Sequence, residues 1–194
     1  MSGGVDSSVA AALLLRKGYD VIGITLKMWP QDCLSLIEDK CCGPQATTDA
    51  RTVADKLGIP HYVIDETAGF ERIVIDYFSA EYQAGRTPNP CVICNQKLKF
   101  GNLMRRAFAL GATHVATGHY ARVEKHASGY VLRRALDLAK DQSYFLFTLS
   151  QEQLAHILMP IGGLQKQEVR ALAREFTLPN SEKKESQDIC FVPE

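Results

Sequence analysis

The residues best suited to chemistry open the chain. The run Ser2-Gly3-Gly4-Val5-Asp6-Ser7-Ser8 leads directly into an apolar segment, Val9 to Leu15, that is typical of a helix. Adjacent glycines permit positive φ and let a ligand approach the backbone closely. The helix would direct its free N–H groups and the positive end of its dipole at that ligand. The pattern predicts an anion site, most simply for phosphate. The alternative is an ordinary helix cap formed by Asp6 or Ser7.

Cysteine spacing marks a second reactive region. The chain has six cysteines, and two of them form the pattern Cys91-x-x-Cys94 beside a Pro-Asn-Pro sequence. In a cytoplasmic chain such close spacing indicates metal or redox chemistry rather than a disulfide framework. Cys190 lies between Ile189 and Phe191. A free cysteine is also a common buried residue, and we prefer a structural or incidental role for the other three, Cys33, Cys41 and Cys42.

The composition is that of a globular protein. Of 194 residues, 46% are hydrophobic and 23% are charged, which excludes a disordered chain and allows one sizeable core. Basic and acidic residues balance at 22 each, so the net charge neither favours nor excludes nucleic acid as a partner. No apolar run approaches the roughly 18 residues that a membrane span needs, and the first apolar helix lacks a basic leader. We expect a cytoplasmic protein without membrane contact.

Hydrophobic periodicity predicts an α/β architecture in the first part of the chain. The predicted elements alternate: helix 7–17, strand 21–28, helix 50–57, strand 61–65 and helix 70–82. Gly18 and Gly58 are placed to end the first two helices. This alternation indicates a doubly wound, mostly parallel sheet with ligands beyond the carboxyl ends of its strands.

The second part of the chain mixes helices with a hairpin. The predicted elements are a loop over 85–95, a helix around 100–107 ended by Gly111, a strand-like run over 114–119, a hairpin of 120–124 with 130–134, helices over 151–158 and 169–176, and a polar, mobile tail over 179–188. Cys91 and Cys94 would lie in the loop, and the tail would deliver Cys190.

Four further motifs accompany the glycine loop. They are Asn89-Pro90-Cys91-Val92-Ile93-Cys94-Asn95, Ala116-Thr117-Gly118-His119-Tyr120-Ala121-Arg122, Lys140-Asp141-Gln142-Ser143-Tyr144-Phe145-Leu146 and Ile189-Cys190-Phe191. The Ser-Gly-Gly-x-Asp-Ser loop resembles that of the ATP pyrophosphatases (the PP-loop superfamily). Together the motifs resemble, over nearly the whole chain, the tRNA-specific 2-thiouridylases, which replace the 2-oxygen of the wobble uridine, uridine 34 of tRNA, by sulfur.

This resemblance implies an adenine nucleotide alpha hydrolase-like fold in which the loop follows a first β-strand. We therefore expect that strand to be missing from this sequence. Residues 1–135 would form the catalytic domain, and residues 136–194 a helical extension with a mobile tail that carries Cys190. Further C-terminal tRNA-binding domains are expected to be absent.

The resemblance also implies roles for individual residues. Those expected to bind ATP, with Mg²⁺ as counter-charge, are Met1, Ser2, Gly3, Gly4, Val5, Asp6, Ser7, Ser8, Met28 and Gly118. Those expected to meet the flipped target base are Asn89, Pro90 and Cys91, and those expected to contact the tRNA are His119, Lys140, Asp141 and Gln142. Cys94 matches the catalytic cysteine, and Cys190 the cysteine that carries a persulfide. The implied partners are the tRNA anticodon stem-loop and a sulfur-donor or sulfur-relay protein.

One departure from the family leaves two sulfur routes open. Many members have an aspartate, a proposed general base, where this chain has Cys91. Cys91, Cys94 and Cys190 could thus supply three thiolates to a [4Fe–4S] cluster whose fourth iron binds sulfide, with zinc less favoured. In the other route Cys190 carries the persulfide and Cys94 resolves it.

Two rival functions are retained. One is another PP-loop adenylating enzyme, amidating or lysidine-forming, which would not need the Cys94 and Cys190 pair. The other is a non-catalytic metal or redox module.

Overall fold

The computed structural model of the protein describes residues 1–28, 44–185 and 189–191. The chain forms two compact units: the first combines Met1–Thr67 with Leu164–Glu194, and the second is Ala68–Gly163. Cys33, Cys41 and Cys42 lie outside the described residues, so their structural role stays a prediction, as does the domain boundary after residue 135. No helix of the described ranges is both long and apolar enough to cross a membrane.

The described elements follow the chain from end to end. They are α1 (Val5–Arg16), β1 (Gly23–Lys27), α2 (Pro44–Leu57), β2 (His61–Asp65), α3 (Thr67–Phe70), a π-helical segment (Glu71–Ile75), α4 (Asp76–Gln83), α5 (Pro90–Ile93), a second π-helical segment (Cys94–Leu103), α6 (Met104–Ala109), β3 (Val115–Ala116), β4 (Ala121–His126), β5 (Gly129–Arg134), a 3₁₀ turn (Ser143–Leu146), α7 (Gln151–Ala155), β6 (Ile157–Leu158) and α8 (Lys166–Glu175).

The first unit is built on a parallel strand pair. β1 and β2 pair in parallel, from Gly23 opposite His61 to Lys27 opposite Asp65, and α2 lies between them in the chain, as a parallel connection requires. A core cluster joins Ala11 of α1, Ala54 of α2 and Ile59. Most of α1 is buried, because its residues after Ser8 are small or apolar on every face. A buried α1 holds the preceding glycine loop in a fixed place.

The second unit places a long helical run beside two small sheets. α5, the second π-helical segment and α6 follow one another without a break over 90–109. β3 pairs in parallel with β6, and β4 and β5 form an antiparallel hairpin. One buried cluster connects these parts, namely Phe100, Met104, Ala107, Val115, Ala121, Leu146 and Ile157. The helical run that carries Cys94 is therefore fixed against the end of β3 and the start of β4.

The predicted α/β architecture with parallel pairing is confirmed. The three glycines predicted to end helices, Gly18, Gly58 and Gly111, have left-handed φ values of +82°, +68° and +85°, as a helix C-terminus favours. The hairpin is also confirmed, with strands one or two residues longer than predicted at the turn.

Two predictions were wrong in part. The segment predicted as a loop over 85–95 becomes helical from Pro90, because proline suits the first helical position. The helix predicted over 151–158 ends at Ala155, since Ile157 and Leu158 pair with β3. In the described part of the tail, up to Glu185, Asn180 is buried and Lys183 and Glu185 form ion pairs; the mobility of the tail stays a prediction.

The neighbouring Gly162 and Gly163 give a matched test of packing in the second unit. A Cβ atom at Gly162 would lie 1.7 Å from the carbonyl oxygen of Ala121, whereas one at Gly163 would meet nothing within 4 Å. We predict that Gly162→Ala lowers the free energy of unfolding by about 3 kcal/mol or more. Gly163→Ala should change it by less than about 0.5 kcal/mol. Urea denaturation of both variants checks this, and equal stability of the two would contradict the described contact.

Candidate nucleotide loop and cysteine helix

The loop before α1 is shaped by its close approach to α2. Gly3 has a φ of +70°, which glycine adopts without strain. A Cβ atom there would lie 2.3 Å from the carbonyl oxygen of Ala46 in α2. Gly4, the N-cap residue of α1, is extended, with φ −87° and ψ 162°. Gly3 thus lets the loop pass against α2, and Gly4 leaves no side chain over the first N–H groups of α1.

The hydroxyl groups of the loop brace its backbone. The Oγ atoms of Ser7 and Ser8 donate to the Gly4 carbonyl oxygen at 3.1 and 2.9 Å. The Ser2 N–H donates to Ser7 Oγ at 3.2 Å. Ser8 is fully buried, so its hydroxyl supports the loop from inside. Ser2 and Ser7 are half-buried, so their hydroxyl groups are more accessible to a ligand than that of Ser8.

Asn180 is a loop-supporting residue that sequence reasoning missed. Its Nδ2 donates to the Gly3 carbonyl oxygen and to Ser8 Oγ, both at 3.0 Å. Asn180 is 7% exposed, and within the described ranges its buried Oδ1 has no hydrogen-bond partner. The turn after α8 is therefore attached directly to the glycine loop. A contact between residues so far apart in sequence leaves no local pattern to detect.

Lys166, the first residue of α8, is the second residue that sequence reasoning missed. Its Nζ lies 2.7 Å from Asp6 Oδ1 and 2.5 Å from Glu185 Oε1. Its side chain is only 13% exposed. Nearby in the chain, Lys183 Nζ lies 2.5 Å from Asp49 Oδ2 in α2. Asp6, predicted as part of the phosphate loop, thus shares one ammonium group with a carboxylate of the tail.

The arrangement fits a bound nucleotide phosphate chain. A left-handed glycine and a helix N-terminus capped by glycine form a concave backbone surface for an anion. The Asp6 carboxylate is the kind of oxygen ligand that Mg²⁺ takes. Met28 is buried directly after β1, at the carboxyl end of a parallel strand, where ligands of open α/β sheets bind. Met1 and Val5 complete the predicted loop, and Met1 supplies the carbonyl that accepts from Thr25 Oγ1 at 2.7 Å.

The cysteine helix begins with a side-chain cap. Asn89 Oδ1 accepts from the Val92 N–H at 3.3 Å, and Pro90 occupies the first turn. Asparagine and proline in these positions favour a helix start. Cys91 and Cys94 are three residues apart on this helical run, and both are half-buried. Their thiols therefore share one face of the helix.

Hydrogen bonds hold this helix and the segment of the predicted tRNA-contacting residues in place. Asn95, 3% exposed, donates from Nδ2 to the Phe145 carbonyl oxygen at 3.1 Å. The side-chain Oε1 of Gln142 accepts from the Tyr120 N–H at 2.9 Å, and the backbone N–H of Gln142 donates to the Tyr120 carbonyl oxygen at 2.8 Å. The helical run that carries Cys91 and Cys94 is thus bonded to the turn that follows Lys140, Asp141 and Gln142, and Gln142 is bonded to Tyr120, the residue after His119.

The Asp141 carboxylate joins two parts of its own segment by hydrogen bonds. Its Oδ1 accepts from the Ala135 N–H and its Oδ2 from Ser143 Oγ, both at 2.7 Å. Burial alone would raise the pKa of Asp141, but these hydrogen bonds and the charge of Arg134 hold it below its ordinary value. Asp141 and Gln142 therefore shape the segment internally, and the neighbouring Lys140 is half-buried.

His119 lies where β3 ends, one residue after Gly118. Its Nδ1 is 2.8 Å from Thr117 Oγ1, and its ring centroid is 6.2 Å from that of Phe100. Burial, together with the positive charge of Lys99, lowers the pKa of His119 to about 3. The imidazole is therefore neutral at physiological pH.

The two catalytic cysteines predicted from sequence fall in different units. Cys94 belongs to the second unit and Cys190, which is half-buried, to the first. Within neither unit do three or more His, Cys, Asp or Glu side chains of the described residues form a metal site. In the second unit, Cys91 and Cys94 fit two of the three thiolate positions that the predicted cluster would use.

Known proteins resemble this chain over its full length. A 2-thiouridylase from Heliobacterium modesticaldum, "tRNA-specific 2-thiouridylase MnmA", is 54% identical over 196 residues, which cover 100% of this chain and 51% of the relative. The protein of the same name from Geotalea uraniireducens is 56% identical over 199 residues, covering 100% of this chain and 53% of the relative. The chain thus spans about half the length of these curated relatives.

A solved structure and a family model agree with the fold. The NMN synthetase from Francisella tularensis superposes with a TM-score of 0.52 at 20% identity, covering 95% of this chain and 63% of that one. The model of the family described as "tRNA methyl transferase HUP domain" matches residues 1–194. Matched along its whole length, and with 2-thiouridylases as relatives at this identity, the chain belongs to the tRNA methyl transferase HUP domain family.

Proposed function

We propose that the protein thiolates uridine 34 of tRNA in an ATP-dependent reaction. The observation that carries this proposal is the loop of residues 1–8, built for an anion by Gly3 and Gly4, in a chain 54% identical to a tRNA-specific 2-thiouridylase. A loop of this kind supports nucleotide binding, and the likeness to the relatives supplies the tRNA substrate. A cytoplasmic location without membrane contact follows from such a substrate.

The reaction requires activation of a poor leaving group. The uridine 2-oxygen attacks the α-phosphorus of ATP and releases pyrophosphate, so that the oxygen becomes part of an adenylate. A nucleophilic sulfur then attacks carbon 2, and AMP departs with the former 2-oxygen. The glycine loop would bind the phosphates, and Met28 and Gly118 would line the adenine and ribose pocket. Mg²⁺ would supply counter-charge to the phosphates.

Sulfur transfer is assigned to Cys94 and Cys190. A persulfide on Cys190 attacks the adenylated carbon, and the Cys94 thiolate then attacks the inner sulfur of Cys190. This forms a disulfide between the two cysteines and leaves the outer sulfur on the base. A thiol reductant regenerates the enzyme, and a sulfur-donor protein restores the persulfide. A [4Fe–4S] cluster would instead hold sulfide on iron; only Cys91 and Cys94 are brought together for it within one unit, so we assign no step to it.

The predicted base-binding and tRNA-contacting residues of the second unit would receive the target base. Asn89, Pro90 and Cys91 would meet the flipped uridine, which must leave its stack before chemistry can reach it. His119 and Lys140 would contact the tRNA, and Asp141 and Gln142 would hold this surface in shape through their bonds to Ala135 and Tyr120. His119 would act as a neutral hydrogen-bonding group rather than as a cation for phosphate.

The first prediction tests the sulfur chemistry. Cys94→Ala and Cys190→Ala should each lower tRNA thiolation at least about 10³-fold, because each removes a group that forms or breaks a bond to sulfur. Formation of pyrophosphate in the presence of tRNA should persist, because adenylation precedes sulfur transfer. The measurement pairs mass spectrometry of the tRNA nucleosides with a pyrophosphate assay on anaerobically purified protein.

Iron and sulfide analysis of the same samples separates the two sulfur routes. Iron-free protein that thiolates tRNA from a persulfide donor is the expected result. About four irons per chain, lost together with activity in Cys91→Asp, would replace the persulfide route by a cluster. Pyrophosphate release that depends on tRNA, with no 2-thiouridine formed even by the wild-type protein, would instead favour an amidating or lysidine-forming enzyme, and absence of tRNA-dependent pyrophosphate would favour a non-catalytic module.

A second prediction concerns the shape of the phosphate loop. Gly3→Ala adds both positive-φ strain and a collision with the Ala46 backbone, so we expect the Kd for ATP·Mg²⁺ to rise at least about tenfold. Gly58→Ala is the matched control, because Gly58 has a similar φ of +68° with nothing within 4 Å of the added Cβ. It should keep the wild-type Kd. Equilibrium dialysis checks both, and equal affinities would disprove the role of the close approach.

A third prediction follows from the neutral His119. Its pKa in the folded protein lies below the unfolded value of about 6.5, so the unfolded chain binds a proton that the folded one excludes. Stability contributed by neutral His119 is therefore fully present above pH 6.5 and is lost as pH falls toward 3, by at most about 1.4 kcal/mol per pH unit. His119→Gln should flatten this dependence between pH 6.5 and 5. Urea denaturation across that range checks this prediction. If the free energy of unfolding changes equally with pH in the wild type and in His119→Gln, the neutral state of the His119 ring in the folded protein is contradicted.

A further inference from the structure

We propose that Lys166 is a positioning residue that holds the phosphate loop and the segment leading to Cys190 in one arrangement. This inference rests on the proposed function, because it takes the glycine loop as the ATP site. The ammonium group of Lys166 lies between two carboxylates, those of Asp6 and Glu185. One of these belongs to the loop and the other to the tail.

On the loop side, Lys166 balances charge next to the proposed phosphate site. Asp6 lies in the first turn of α1, where its carboxylate would repel phosphates unless a cation, Lys166 or a bound Mg²⁺, compensates it. The Lys166 ammonium lies 2.7 Å from Asp6 Oδ1, which compensates that charge. Both side chains are largely shielded from solvent, with Lys166 13% and Asp6 29% exposed, so salt and water screen the pair less than they would on the surface.

On the tail side, Lys166 fixes the point from which the chain runs to Cys190. Its Nζ lies 2.5 Å from Glu185 Oε1. Asn180 on the loop and Lys183 on Asp49 attach the same stretch at two earlier points. Cys190 lies five positions after Glu185 in the sequence, and an extended chain spans at most about 3.6 Å per residue. Holding Glu185 therefore limits the Cys190 Cα atom to within about 18 Å of the Glu185 Cα atom.

Changes at Lys166 and at Glu185 are expected to have different effects on nucleotide binding and on Cys190. Loss of the Lys166 ammonium leaves Asp6 uncompensated beside the phosphates and also releases Glu185. Neutralising Glu185 alone releases the tail and removes a negative charge, so nucleotide binding does not weaken. A residue that merely stabilises the fold would change both properties together, along with the reactivity of every cysteine.

The test compares Lys166→Met, Lys166→Arg and Glu185→Gln with a control, Glu175→Gln. Glu175 lies on α8, as Lys166 does, and its carboxylate is exposed and paired with Arg16 of α1. Two quantities are measured on the intact protein. One is the Kd for ATP·Mg²⁺ by equilibrium dialysis. The other is the rate of Cys190 alkylation by iodoacetamide, followed by peptide mass spectrometry with Cys94 as the internal reference.

The expected results differ for each variant. Lys166→Met raises the Kd about tenfold and speeds Cys190 alkylation at least about fivefold relative to Cys94. Lys166→Arg restores both quantities to within about threefold, because arginine keeps the charge. Glu185→Gln speeds Cys190 alkylation without raising the Kd, and Glu175→Gln matches the wild type.

A wild-type Kd and a wild-type Cys190 alkylation rate in Lys166→Met would overturn the proposal. So would alkylation that speeds up equally at Cys190 and Cys94 in all Lys166 and Glu185 variants. If the wild-type protein binds no ATP, the proposed function fails. In that case the alkylation rates alone decide whether Lys166 holds the Cys190 segment.

Discussion

The close approach of Gly3 to the backbone of Ala46 is the constraint on which the first unit depends. Because the added Cβ of any other residue would meet the Ala46 carbonyl oxygen at 2.3 Å, only glycine allows the loop to lie against α2. The buried α1 then begins at a fixed point, with its first N–H groups facing away from its own core. Ser8 and Asn180 support the same backbone from the buried side. The shape that suits phosphate is therefore a property of packing rather than of any one ligand donor.

Charge links this loop to the rest of the first unit. Lys166 joins Asp6 to Glu185, and Lys183 joins the tail to α2. Partly buried ion pairs of this kind contribute little net stability but are costly to break singly. Their effect is to fix the positions of the loop, α2 and the tail relative to one another within the first unit. In the second unit a neutral hydrogen bond from Asn95, the residue after Cys94, to the Phe145 carbonyl oxygen fixes the helix in a similar way.

Sequence patterns predicted the elements whose causes are local. Continuous apolar runs identified α1 and β1, periodic apolar residues identified α2, and glycines placed after helices identified their ends. The helix start at Asn89 and Pro90 was also locally encoded, but the surrounding glycine and prolines favoured a loop. The two-residue strand β6 is too short to show a period, and it exists because β3 offers it a partner.

The support for the site could not be predicted for a different reason. Lys166 contacts Asp6 across 160 residues of sequence, and Asn180 contacts Ser8 across 172. Such contacts arise from the fold and leave no spacing that a motif could record. The reactive residues themselves, Cys94 and the glycine loop, were recognisable because their chemistry demands particular residue types in short runs. What holds those residues in place became visible only in three dimensions.

The central claim is that this loop serves the adenylation of a uridine oxygen, and isotope transfer tests it most directly. A tRNA carrying ¹⁸O at the 2-position of uridine 34 would be thiolated by the protein with ATP, and the AMP product would be examined by mass spectrometry. The account predicts one ¹⁸O atom in AMP for each 2-thiouridine formed, because the oxygen departs with the adenylate. Unlabelled AMP accompanying thiolated tRNA, or ADP in place of AMP, would contradict it.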